Sequence, residues 1–77
     1  MSPQLPILKP KDVISALRRA GFYIHHQTGS HIQLKHNQKT WLRVTIPFHR
    51  DDLPKPIIRS IIRQAELTVQ EFLDLLE

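Results

Sequence analysis

Gly29-Ser30-His31 is the stretch of this 77-residue chain whose residue types best suit chemistry. A glycine turn there leads into the first residue of an expected strand and aims an imidazole at its wet face. Histidine titrates near neutrality, so it can take or give a proton under physiological conditions. RNA carries its own nucleophile, the 2′-hydroxyl. A protein that cuts it needs only positioning, a proton carrier and positive charge. Ser30, the backbone amides of the turn beside Gly29, and Lys35 and Arg43 could hold a phosphate near that imidazole. The plainer reading is a surface histidine at a strand edge, and spacing by itself leaves both open.

A histidine-rich stretch raises metal binding as the rival. The five histidines are His25, His26, His31, His36 and His49. His31 and His36 lie five apart, which sends them to opposite faces of a regular strand. There is no HExxH pattern, no cysteine, and no nearby acid to complete a zinc set. No metal site and no cofactor is expected. Trp41, on the wet face, could stack on a base or ribose. It could equally cover the sheet edge or meet a protein partner.

The elements that must position these residues are legible from periodicity. Val13, Ile14, Leu17 and Ala20 form one stripe, predicting a helix from about Lys11 to Ala20, with Arg18 and Arg19 in its last turn. Gly21 supplies the left-handed stop and Phe22 folds back on Leu17. Three strands follow, at Phe22–His26, His31–His36 and Thr40–Ile46. Gln27-Thr28-Gly29-Ser30 forms the first turn, with Gly29 taking an unusual backbone angle, and His36-Asn37-Gln38-Lys39 the second. The alternation places Phe22, Ile24, Ile32, Leu34, Leu42, Val44 and Ile46 inward. Pro47–Pro56 reads as a loop. Ile57, Ile58, Ile61, Ile62 and Ala65 repeat at helical spacing as a core stripe, with proline tolerable in the first turn. Thr68 and Glu71 make a capping box, and Leu67 and Phe72 a hydrophobic staple, for a short last helix.

The order α-β-β-β-α plus a short C-terminal helix describes an α+β domain, two helices on one face of a three-stranded antiparallel sheet. It is also the layout of double-stranded RNA-binding domains. One domain fills residues 1–77, and residues 1–9, with prolines at 3 and 6, read as an extended lead-in of little consequence. No apolar run approaches the length of a membrane span, and the absence of cysteine is compatible with a cytoplasmic home. Net charge is +4, unevenly spread. Residues 1–50 hold eight Lys or Arg against Asp12 alone, a balance of +7; residues 51–77 hold three against six acids, a balance of −3. Such a basic half suits a polyanion, and equally a solvated basic face.

Four segments carry a family resemblance: Leu17–Phe22 (LRRAGF), Gln27-Thr28-Gly29-Ser30-His31, Ile46-Pro47-Phe48-His49, and Ile58–Ala65 (IRSIIRQA). In order and spacing they resemble the HicA, or YcfA-like, toxins of bacterial and archaeal toxin–antitoxin pairs. The resemblance implies a double-stranded-RNA-binding-like fold and an endoribonuclease that cleaves mRNA and arrests translation. It also implies a HicB-type antitoxin protein that covers the active surface. The family's catalytic histidine falls on His31, and its second motif histidine on His49. The chain departs from the pattern at His26, where Arg is common, and at Pro56-Ile57-Ile58, where Gly-Thr-Leu is usual. Glu66 replaces the Gly that commonly ends the second helix. A non-catalytic RNA-binding or regulatory module with the same fold is the alternative, and a pure interaction protein a third reading.

Overall fold

The computed structural model describes residues 4–76; the first three residues of the expected lead-in, Pro3 among them, and Glu77 lie outside that range. The elements are α1 (Pro10–Arg19), β1 (Phe22–Gln27), β2 (His31–His36), β3 (Arg43–Pro47), α2 (Lys55–Gln64) and α3 (Val69–Asp74). The strands form one antiparallel sheet in the order β1-β2-β3. The α+β arrangement is the one the sequence predicts. Ile32, Leu34, Val44 and Ile46 are buried beneath the helices, while His31, Gln33, Arg43 and Thr45 alternate with them on the open side. Val13, Ala16 and Leu17 of α1 and Ile58, Ile61 and Ile62 of α2 complete the core, with Phe72 of α3 fully buried. Truncating Phe72 would cost about 3–5 kcal/mol.

Several expectations need correction. Leu5 and Leu8 are buried in the core, and the Leu53 N–H donates to the Leu8 carbonyl at 2.8 Å. The lead-in therefore contributes to the core. Strand β3 begins at Arg43 rather than Thr40, because Leu42 N–H bonds back to the Lys39 carbonyl at 3.0 Å and makes residues 39–42 a turn. It continues through Pro47, which needs no N–H at the end of an edge strand. Helix α2 starts at Lys55, two residues early, since Pro54 caps it and Pro56 fits its first turn. Ile57 and Ile24 are more than a third exposed instead of buried. Ile24 lies on the edge strand, opposite Leu34, near the rim of the helical layer.

Gly21 and His36 lock the first hairpin to α1. Gly21 has φ of +102°, and a Cβ there would stand 2.8 Å from His36 Nε2. The His36 ring meets Phe22 edge-on with centroids 4.9 Å apart. Its Nε2 lies 2.8 Å from the Ala20 carbonyl, and Nδ1 accepts from the N–H groups of Gln38 and Lys39 at 3.1 and 2.9 Å. Two donors at Nδ1 and a carbonyl at Nε2 require the neutral ring with its proton on Nε2. The Asn37 N–H closes the corner on the Gly21 carbonyl at 3.0 Å.

That lock fixes the register at one end, pairing Phe22 with His36; the other end is closed by Thr28 N–H on the His31 carbonyl at 2.9 Å. The chain between these ends is one residue longer on β1 than on β2. The ladder absorbs the excess as a bulge between Ile24 and His26. Regular alternation would put His26 on the face of Ile24. The bulge instead pairs His26 with Gln33, on the open face.

Helix α3 is capped as predicted: Glu71 N–H donates to Thr68 Oγ1 at 3.0 Å, and Thr68 N–H to Glu71 Oε1 at 2.8 Å. The Thr68 backbone N–H, then its hydroxyl, hold the Glu71 carboxyl below its ordinary value. The box is thus complete above the usual carboxylate range and loosens as pH falls through the lowered value. Arg19 donates to the Leu75 carbonyl at 2.6 Å, tying α1 to the end of α3.

Helix α2 closes with Glu66 N–H on the Arg63 carbonyl (3.0 Å) and Leu67 N–H on the Ile62 carbonyl (3.1 Å), the paired bonds of a Schellman ending. Glu66 fills the left-handed position with φ of +57°. A non-glycine residue there carries a steric cost of about 1–2 kcal/mol. Glu66→Gly is expected to raise unfolding stability by roughly 1 kcal/mol, after the greater chain entropy of glycine offsets part of the relief. Urea denaturation of the two proteins checks this; an unchanged or lower midpoint would refute it.

Candidate active site

His31 opens β2 on the exposed side of the sheet, and its backbone is held from two directions. Its N–H donates to Thr28 Oγ1 at 3.1 Å, and its carbonyl accepts from the Thr28 N–H at 2.9 Å and the Thr28 hydroxyl at 3.3 Å. One residue earlier, the Ser30 carbonyl accepts from Phe48 N–H at 2.8 Å, fastening the turn to the chain just after β3. The side chain is thus an exposed ring on a fixed base.

Ser30 Oγ stands 3.0 Å from His31 Nδ1. A hydroxyl can donate or accept. When Ser30 donates, the neutral ring carries its proton on Nε2; when it accepts, Nδ1 is protonated and Nε2 offers a lone pair. Nε2 has no hydrogen-bond partner among the described residues. This pair can therefore present either a proton donor or a proton acceptor to a ligand on the open face.

Beside it, His25, Gln33, Lys35, Arg43 and Thr45 line a shallow hollow on the sheet. Lys35 and Arg43 are direct cross-strand partners, as are Gln33 and Thr45. Neither cation has an acidic partner among the described residues. On the far side of β3, Gln64 Oε1 accepts the Thr45 N–H at 2.9 Å and its amide donates to Ser60 Oγ at 3.2 Å, so α2 holds the hollow's edge strand in place.

The expected site residues are only partly brought together. Lys35 and Arg43 share the hollow, and Gly29, Ser30 and His31 adjoin it, since Gln33 follows His31 on the same face. Trp41 is 67% exposed but belongs to the turn before β3 and does not line the hollow. His25, which alternation from Phe22 places on the open face, joins the hollow although it was not among the expected site residues, and the bulge brings His26 to the same face. Alternation cannot reveal an extra residue, so the position of His26 was not foreseen. Among the described residues no group of three or more His, Asp or Glu side chains is arranged to hold a metal ion.

The family described as the HicA toxin of bacterial toxin-antitoxin systems matches residues 10–67. The chain belongs to the HicA toxin family. The match covers α1, the sheet and α2, and so includes the Ser30–His31 pair and the whole hollow. No curated protein matches the sequence. Among the described residues of this HicA toxin, no helix is long and apolar enough to cross a membrane.

Gly29 departs from its expected role in this HicA site. It has no positive φ, and a Cβ built on it would meet nothing within 4 Å. The turn does not need glycine; what glycine leaves there is bare, approachable backbone beside Ser30. Gly29→Ala should therefore leave the melting midpoint nearly unchanged, with unfolding free energy within about 0.5 kcal/mol of the parent. Gly21→Ala should cost several times more, because its Cβ collides with His36 at a positive φ. Parallel thermal melts distinguish the two, and an equal loss would show that Gly29 is structural.

Proposed function

We propose that this toxin is an endoribonuclease that binds and cleaves mRNA in the cytoplasm, arrests translation, and is neutralised by a HicB-type antitoxin covering the open sheet face. The observation that carries the reading is the Ser30–His31 pair, 3.0 Å apart on the open face next to the unpaired cations Lys35 and Arg43, in a chain of this toxin family.

In this mechanism the substrate strand lies across the hollow, with Lys35 and Arg43 holding phosphate oxygens and the backbone at Gly29 and Ser30 approaching another. His31 Nε2 takes the proton from a ribose 2′-hydroxyl as that oxygen bonds to the adjacent phosphorus. The bond from phosphorus to the 5′-oxygen breaks, and the leaving oxygen takes a proton from the imidazolium or from water. Fixed positive charge at the hollow stabilises the extra negative charge on the phosphorane. Trp41, at the sheet's margin, offers a stacking surface for a base farther along the strand.

The test is His31→Ala. His31 is exposed, and among the described residues its ring hydrogen-bonds only to Ser30 Oγ, so stability should change by no more than about 0.5 kcal/mol. Cleavage should fall by about 100-fold or more, and growth arrest should vanish while RNA binding persists. A folded variant that cuts at the parent rate would remove His31 from the mechanism.

The chemistry uses a proton carrier and fixed charge alone. Cleavage is therefore expected to proceed unchanged in EDTA. Activity lost to the chelator and restored by one divalent cation would overturn this mechanism.

A further inference from the structure

A second cationic site lies on the other side of the Gly29–His31 turn. Lys9, Lys11, Phe48, His49 and Arg50 line a hollow apart from the one on the sheet. The Phe48 N–H bonds to the Ser30 carbonyl at 2.8 Å, so the backbone of this hollow is tied to the turn that carries His31. Lys9 is engaged: its ammonium pairs with Asp52 at 3.1 Å and donates to the Arg50 carbonyl at 3.3 Å. That pairing shapes the loop and leaves Lys11 and Arg50 without acidic partners among the described residues. Phe48 is 39% exposed and lines the same hollow, an apolar side chain among cations. Lys9 and Lys11 also stand at the start of α1, the end of a helix where positive charge is unfavourable.

We propose that Lys11, Phe48, His49 and Arg50 form a second RNA subsite, which takes an unpaired nucleotide adjoining the bond at His31. Phe48 stacks on the base, Lys11 and Arg50 hold its phosphate, and His49 contributes a hydrogen bond to the phosphate or sugar. The proposal rests on the RNA-cleaving reading and deepens it by naming the substrate class. An aromatic ring can receive a base face only when that base has left its own stack, so the preferred substrate is single-stranded at the cut. The strand runs from the sheet hollow, past His31, into the loop hollow.

Binding is measured on the full chain carrying His31→Ala, with a mixed-sequence RNA strand of roughly a dozen nucleotides and the matching duplex. Lys11→Gln with Arg50→Gln is expected to weaken single-strand binding about tenfold near 0.1 M salt and to lower the log–log salt slope by about 0.7, for the one phosphate no longer neutralised. Phe48→Leu keeps an apolar side chain but removes the flat ring. It should weaken the single strand severalfold, leave the slope unchanged, and leave duplex binding at the parent value. Lys35→Gln with Arg43→Gln is the comparison. If that pair loses affinity while the Lys11/Arg50 pair and Phe48→Leu bind like the parent, the second subsite is wrong and the sheet face stands. If the parent itself shows no salt-dependent RNA binding, the RNA reading fails and the subsite with it. Equal losses on strand and duplex with Phe48→Leu, or antitoxin binding abolished while RNA binding is kept, would also overturn the proposal. Melting midpoints equal to the parent's are required of each variant, and among the described residues the side chains of Lys11 and Arg50 make no hydrogen bond or ion pair that would support the fold.

Discussion

The imidazole of His36 stands where a side chain on Gly21 would have to go. This exchange of space ties together the end of α1, the start of β1, the end of β2 and the turn toward β3. Both ring nitrogens are consumed by backbone groups and the ring edge rests on Phe22, so the corner has one geometry. Register in a hairpin with one buried face is strongly specified, because a one-residue slip would turn Ile32 and Leu34 out to water. The lock at His36 selects that register at one end, and the Thr28–His31 turn at the other.

The two closures disagree by one residue, and the bulge at His25 reconciles them. The open face gains chemistry from this mismatch: both members of the His25-His26 pair come to the side of Gln33, Lys35 and Arg43. The helical layer is indifferent to it, since Phe22 remains buried on one side of the bulge and Ile32 is still covered on the other. Five histidines thus divide into different tasks. His36 is built into the frame, His31 sits bare on it, His25 lines the sheet hollow, His26 pairs with Gln33, and His49 lines the loop hollow.

Much of this was readable before the structure because it depends on local chemistry. Gly21 after Arg18-Arg19, and Thr68 with Glu71, announce helix ends through specific backbone donors, and both endings occur where expected. The placement of His31, Lys35 and Arg43 on the open face follows from simple alternation on strands covered on one side. Less visible were features decided by two distant segments at once. The burial of Leu5 and Leu8 depends on the 53 region, and isolated leucines among prolines show no period. Trp41 alternates correctly for a strand, yet backbone bonding between Leu42 and Lys39 holds it in a turn. The bulge requires knowing both ends of the hairpin. Gly29 looked like a conformational need and proved to be an absence of bulk.

A bulged residue is a spare one. If His25 were lost, Ile24 would still face Leu34 and His26 would still face Gln33, because the ladder already treats His25 as surplus. A single in-frame codon event at this point can therefore add or remove an imidazole at the rim of the sheet hollow without changing the register of the core. Other members of such a lineage could vary their proton-bearing groups here as freely as a loop varies in length, although the change occurs inside a strand.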